Sequence, residues 1–281
     1  MNRLRIVHTT GFHYGGEITA SYNEARMLPV TTADQLVLHS HLDIHPVSAQ
    51  AAYRDYWGTQ VSSFEVLTSH TSLSLTATSL VEVRPSRHPE HALGWQELGV
   101  LAQRAVSTVE QLGQTRRTAP AEDLAQKARE IASEHEDACS AARAVCEYVG
   151  SSMEYVQGVT GVQTTAAEAW QLRKGVCQDI AHAALGALRA VGIPARYVSG
   201  YLHPRREPAV GELVKGESHA WVEWFCGDWR GYDPTNLIDI GDRHVRVGHG
   251  RDYGDVAPLR GVYSGSSASS LFVTVEITRE A

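Results

Sequence analysis

Cys177, His219 and Asp233 are three residues of this 281-residue chain whose types could combine as nucleophile, base and orienting acid. A thiolate attacks a carbonyl carbon, an imidazole moves the proton, and a carboxylate fixes which ring nitrogen holds it. An isolated cysteine is more often a small packed residue. The case for chemistry therefore depends on where the surrounding elements place each of the three.

Cys177 lies in RKGVCQDIAHAALGALRAVGIPARYVSGYL, where a Gly-punctuated loop runs into a helix with Ile180, Ala184, Leu185 and Leu188 on its apolar stripe. Gly192 and Pro194 are placed to stop that helix. Cys177 thus falls at or just before the helix N-terminus, where free N–H groups and the positive end of the dipole favour a thiolate. Gly175 is read as the residue that lets the backbone turn sharply there. The Cys177 N–H is the first candidate for an oxyanion donor, and Gln178 is the next. Trp170 and Tyr155 are further candidates for contact with the reacting group, each weighed against a packing role. Asp179 reads as a carboxylate serving the helix start, and His182 as a histidine rotated away from the thiol.

ESHAWVEWFCGDWRGYDPTN reads as a hairpin, with His219 on its first strand and Asp233 closing its second before Pro234. Side chains alternate between the faces of a sheet, so the turn length decides whether the two can meet. A three-residue turn at Cys226-Gly227-Asp228 sets Trp221 opposite Asp233 and puts His219 one diagonal step away on the same face. A two-residue turn would put them on opposite faces.

The segments GVCQDIAHAALGALRAVGIPARYVSGY, SHAWVEW and YDPTN resemble the transglutaminase-like superfamily in its bacterial branch. The resemblance implies a papain-like α+β core and assigns Cys177 as nucleophile, His219 as general base and Asp233 as its partner. The first 85 residues, including DYWG and the strand ending VEV, look like the β-rich N-terminal domain that precedes this core. GRDYGDVAP resembles a recurring loop near the family's C-terminus, making Arg251 and Tyr253 candidates for lining the cleft. The implied function is thiol-dependent acyl transfer on amide or peptide bonds, with a cysteine peptidase or amidase as the leading form. Protein-glutamine transglutaminase, with an amine as acceptor, is the alternative; a non-catalytic binding module is the competing class.

The rest of the chain fits an α+β architecture. Residues 1–86 alternate apolar and polar positions, most clearly Leu73, Leu75 and Ala77, and read as an antiparallel β-domain. Asp55-Tyr56-Trp57-Gly58 reads as a hairpin turn. Residues 87–281 form the helical segment plus catalytic core; Thr118 and Pro120 supply a helix start, and Gly150 a stop. A formal net charge of −7 without basic runs argues against nucleic acid as partner. The start lacks an apolar stretch of signal-peptide length and no later run could span a bilayer, so a cytoplasmic location without membrane contact is expected. In that compartment each of the four cysteines is expected as a free thiol, with Cys139 and Cys146 packed on one helix face. His39, His41, Asp43 and His45 share a parity that metal ligands could use, but a solvated strand face explains it better. No metal or cofactor is called for, and a protein or peptide substrate is the expected partner.

Overall fold

The structure, a computed structural model, describes residues 1–85 and 93–281. Six strands open the chain: β1 (Asn2–Ile18), β2 (Ala20–Ala25), β3 (Gln35–His45), β4 (Ala49–Arg54), β5 (Gln60–Val66) and β6 (His70–Val83). The expected alternation is clear in β6, where Leu73, Leu75 and Ala77 point inward and are buried. The DYWG segment turns β4 back onto β5 with Gly58 in the left-handed region. The exposed His39, His41, Asp43 and His45 of β3 are a solvated face.

Helices and strands then mix. In order they are α1 (Trp95–Ala102), α2 (Val106–Val109), α3 (Glu122–Ser133), α4 (Ala138–Ser152), β7 (Glu154–Tyr155), α5 (Ala166–Leu172), β8 (Lys174–Gly175) and α6 (Cys177–Ala190). The core sheet comes from β9 (Ala195–Leu202), β11 (Ser218–Phe225), β12 (Trp229–Asp233), β13 (Ile238–Asp239) and β14 (His244–Gly250), in the order β13-β12-β11-β9-β14. Ala220, Val222 and Trp224 on alternate positions of β11 join Ile180, Ala184 and Leu188 of α6 in one apolar core. The chain thus has an N-terminal antiparallel region followed by an α+β core.

The boundary expected at residue 86 lies outside the described residues, and the sheets do not follow it. β10 (Leu213–Gly216) and β16 (Ser269–Arg279) complete the sheet β10-β16-β1-β6-β3, while β15 (Leu259–Ser264) completes β15-β2-β5-β4; between them falls the short α7 (Tyr253–Val256). The C-terminal strands are therefore structural parts of the N-terminal sheets.

Three local expectations are corrected. Cys139 of α4 and Cys226 of the β11–β12 turn are not free thiols; they form a disulfide with Cα atoms 5.7 Å apart, a separation that suits such a bond. Cys146 is a buried free thiol. Thr118 does not open a helix: α3 starts at Glu122, and Thr118 is buried as acceptor of a 3.0 Å bond from Nη1 of Arg189. Nor does Gly150 stop α4, which continues to Ser152. Gly150 is where the carbonyl of Pro234 crosses the helix, and a Cβ there would lie 2.1 Å from that oxygen.

This crossing sets two effects of opposite sign for Gly150→Ala. Helix propensity alone would stabilise the variant by about 1 kcal/mol. Overpacking against a backbone that cannot yield costs about 1–3 kcal/mol and displaces the turn after Asp233. We expect net destabilisation in denaturant melts; a variant more stable than the parent would show that Pro234 moves freely.

Candidate active site

Cys177 is the first residue of α6, and the extended Val176 before it turns the chain into the helix. Oδ2 of Asp179 accepts from the Val176 N–H at 2.9 Å and from Oγ1 of Thr160 at 2.6 Å, fixing the helix start. Burial raises the Asp179 carboxyl above its usual value, against these hydrogen bonds. Gly175 is required for a different reason from the expected sharp turn: a Cβ there would lie 2.6 Å from Oδ2 of Asp179. The thiol of Cys177 itself is partly exposed.

The β11–β12 turn has the odd length. Phe225 pairs with Trp229 and Val222 with Tyr232, leaving Cys226-Gly227-Asp228 as a three-residue turn. His219 and Asp233 therefore share a face, and Nε2 of His219 donates to Oδ2 of Asp233 at 2.7 Å. The other ring nitrogen remains for Cys177, which lines the same cavity. Burial of His219 works against its charged form. The hydrogen bonds to Asp233 and Cys177 and the charges of both outweigh it, raising the histidine to about 10.

Asp233 is completely buried, and every lone pair has a donor near it. Oδ1 accepts from the backbone N–H groups of Thr235 at 3.0 Å and Asn236 at 3.2 Å. Oδ2 accepts from Nδ2 of Asn236 at 2.8 Å as well as from His219. His244 adds a further approach, its Nε2 standing 3.5 Å from Oδ2. Nδ1 of His244 accepts from the Gly241 N–H at 3.2 Å, so the ring proton is on Nε2, the nitrogen on the carboxylate side. Burial lowers the His244 pKa, keeping that ring neutral. For Asp233, burial alone would raise the pKa; the His219 and His244 ring N–H groups, the charge of His219 and the Asn236 amide hold it well below the carboxylate range.

The remaining candidates divide. Tyr155, Gln178 and Tyr253 line a cavity of about 370 Å³ together with Cys177 and His219. The Tyr155 hydroxyl donates to Glu217 at 3.1 Å, and the Gln178 side chain makes only a 3.4 Å contact with the Val162 carbonyl. Trp170 is not in the cleft: it is buried in the helical core, with Nε1 donating to Asp123 at 2.8 Å and the Arg173 guanidinium 3.5 Å above its ring. Arg251 is also elsewhere, paired with Asp255 at 2.9 Å and facing Trp57. His182 is buried, accepting from the Tyr253 N–H at 3.1 Å, and so steadies that loop. Among the described residues no cluster of His, Cys, Asp and Glu could hold a metal ion, and no helix is long and apolar enough to cross a membrane.

Sequence reasoning missed His244, Glu217 and the cavity wall formed by Thr10, Leu271 and Val273. Asn236 stood within the YDPTN segment without an assigned part, though an Asx turn after Asp233 was readable there.

The model of the transglutaminase-like superfamily matches residues 125–234, and that of the bacterial transglutaminase-like N-terminal region matches residues 4–82. An uncharacterized protein of Mycobacterium leprae is 42% identical over 280 residues, covering 99% of both chains. The chain belongs to the transglutaminase-like superfamily. A second uncharacterized relative, from Mycobacterium tuberculosis, is 31% identical over 98% of this chain and 92% of its own length. A structure from Cytophaga hutchinsonii, provisionally named a cysteine protease, superposes with a TM-score of 0.79 at 22% identity over 100% of this chain and 91% of that one. A protein-glutamine gamma-glutamyltransferase of Pseudomonas aeruginosa is 40% identical over 70 residues, 24% of this chain and 10% of that protein.

The electrostatics of this superfamily site can be tested directly. An unfolded histidine titrates at about 6.5. With the folded value raised to about 10, the His219 imidazolium contributes stability that is complete below about pH 6.5 and lost as the pH rises through about 10. In Asp233→Asn the burial penalty loses its main opponent, and the pKa followed at the ring Cε1–H resonance falls back toward neutrality. An unchanged value would show that Asp233 does not hold the proton on His219.

Proposed function

We propose that the chain is a thiol-dependent acyl-transfer enzyme acting on amide or peptide bonds of polypeptides. The observation that carries this reading is the 2.7 Å bond that commits Nε2 of His219 to Asp233 and leaves Nδ1 to the thiol. A histidine held protonated at neutral pH stabilises a neighbouring thiolate.

In the first half-reaction the Cys177 thiolate adds to the carbonyl carbon, and the developing oxyanion faces the Cys177 N–H, which as a first-turn donor has no intrahelical partner. The Gln178 amide is the second donor within reach of the cavity. His219 gives its proton to the departing amine as the C–N bond breaks, leaving a thioester. In the second half-reaction neutral His219 takes a proton from the incoming nucleophile, the new acyl bond forms, and the C–S bond breaks to restore the thiolate.

Water as that nucleophile makes the chain a peptidase or amidase, the reading we favour; the full-length neighbour provisionally named a cysteine protease supports it. An amine as nucleophile makes it a transamidase, which the 70-residue match to a gamma-glutamyltransferase supports.

Two measurements test this. Iodoacetamide should alkylate Cys177 faster at neutral pH than a model thiol, and His219→Ala should slow that reaction by about a hundredfold. Equal rates in parent and variant would remove the activated thiolate. Trapping the acyl-enzyme from a peptide library and adding a primary amine then separates the two forms: free acid identifies the hydrolase, amine adducts the transamidase.

A further inference from the structure

We propose that an extended polypeptide substrate binds by adding a strand to the open edge of β16 between Ser269 and Thr274, beside Cys177. This deepens the acyl-transfer reading and rests on it.

β16 pairs with β1 along almost its whole length, from Leu4 opposite Arg279 to Tyr14 opposite Ser269. On its other side β10 covers only the C-terminal part, from Leu213 opposite Thr278 to Gly216 opposite Val275. There the two chains separate. After Glu217 the backbone leaves this sheet and enters β11 of the core sheet, where Ser218 pairs with Tyr201 and His219 with Gly200. The separation creates a fork, with β16 as one arm and the His219 strand as the other. The cavity that holds Cys177 fills the fork, lined by Val273 and Leu271 from one arm and Ser218, His219 and Ala220 from the other.

The register shows which backbone groups face the opening. The Gly15 N–H donates to the Ala268 carbonyl at 2.9 Å, and Oγ1 of Thr10 donates to the Phe272 carbonyl at 3.0 Å, so the even-numbered residues of β16 address β1. In an antiparallel ladder the alternate residues address the opposite edge. Val275 and Ile277 use those groups to pair with β10. Val273 and Leu271 carry the same outward N–H and C=O groups and, among the described residues, have no strand opposite them, since β10 pairs only as far as Val275. Their side chains, 46% and 59% exposed, are apolar surface left open among the described residues.

An uncovered strand edge is a template for another strand, and proteins normally blunt it with charges, proline or a bulge. Residues 269–274, SSLFVT, contain none of the first two, and the pairing with β1 runs through them without a register shift. The occupant that fits is a peptide in extended conformation. Its main chain would pair with Val273 and Leu271 whatever its sequence, and alternate side chains would enter the apolar cavity. A strand in that position continues the line of β10 and lies between β16 and His219, so its carbonyls pass the thiol. The substrate class implied is an unfolded segment or loop of a polypeptide with an apolar side chain near the reacting amide, rather than a small free amide.

The test uses the full chain carrying Cys177→Ala, so that bound peptide is not turned over, and a pool of N-acetylated, C-amidated octapeptides of alternating apolar and polar residues. Binding should slow amide hydrogen exchange at Leu271 and Val273. Phe272, already paired with β1, should be unaffected. Val273→Pro removes one outward N–H while leaving the β1 ladder intact, and Val273→Ala trims the side chain but keeps the N–H. The proline variant should bind the pool about tenfold more weakly than the alanine variant, the worth of one main-chain hydrogen bond at the upper end of its range. Equal affinity of the two variants, binding without protection at Leu271 and Val273, or no binding of the pool overturns the proposal. Iodoacetamide alkylation of Cys177 in the parent chain reports the thiolate separately, so loss of the docking edge and loss of the acyl-transfer reading give different results.

Discussion

A buried carboxylate must be surrounded by donors or it will not stay charged, and Asp233 imposes that requirement on most of the core around it. Its oxygens take backbone N–H groups from Thr235 and Asn236, the Asn236 amide and the His219 ring, with His244 standing by. Each donor requires an element in a particular place. The turn after Asp233 must fold back tightly, which brings Pro234 against α4 and leaves room only for glycine at 150. The β11–β12 turn must be odd in length, or His219 would point to the opposite face. β14 must lie beside β9, or His244 would not approach.

The consequence for His219 is positional as well as electrostatic. A ring bound through Nε2 to a fixed carboxylate has one orientation, and its free nitrogen has one direction. Cys177, which lines the same cavity as His219, opens α6, whose start is fixed by Asp179 and whose body is packed into the same apolar core as Ala220 and Val222 of the His219 strand. Helix and hairpin therefore meet through a shared core, which restricts movement of one against the other. The Cys139–Cys226 disulfide adds a covalent tie between α4 and the turn of that hairpin.

What could be read from the sequence was what is local. The helix start at Cys177, the strand under His219 and the three-residue turn are all set by residues within a short stretch, so periodicity, Gly and Pro placement and parity suffice to find them. The misreadings share the opposite property. Gly150 looks like a helix stop until Pro234, far along the chain, is known to cross it. Trp170 looks available because seven residues separate it from the thiol, but the face of α5 it occupies is turned to Asp123. Cys226 is a turn residue whose partner is 87 positions away. His244 is the clearest example: nothing near it in sequence refers to Asp233, and only the order β12-β11-β9-β14 brings its strand close. Contacts made by sheet order are not encoded in any window.

The N-terminal sheets are bound to the core by polar contacts that neither part could satisfy alone. Gln35 of β3 donates from Nε2 to the Arg246 carbonyl and accepts at Oε1 from the Arg246 N–H, both at 2.8 Å, acting as a strand partner to β14. The Tyr201 hydroxyl of β9 donates to the Met27 carbonyl at 2.9 Å and sits 2.9 Å from Nδ1 of His8 on β1. Beneath this contact Glu223 holds both Arg196 and Arg246, whose pKa values burial pushes down to about 9. Separating the sheets from the core would return these charges to water but leave their apolar neighbours exposed, while removing one partner in place would strand a buried charge, a loss of several kcal/mol. The same interface supplies the Thr10, Leu271 and Val273 wall of the cavity. The N-terminal region is thus part of what forms the site, because the strands that close its sheet come from the end of the chain and the cleft lies where they part from the core.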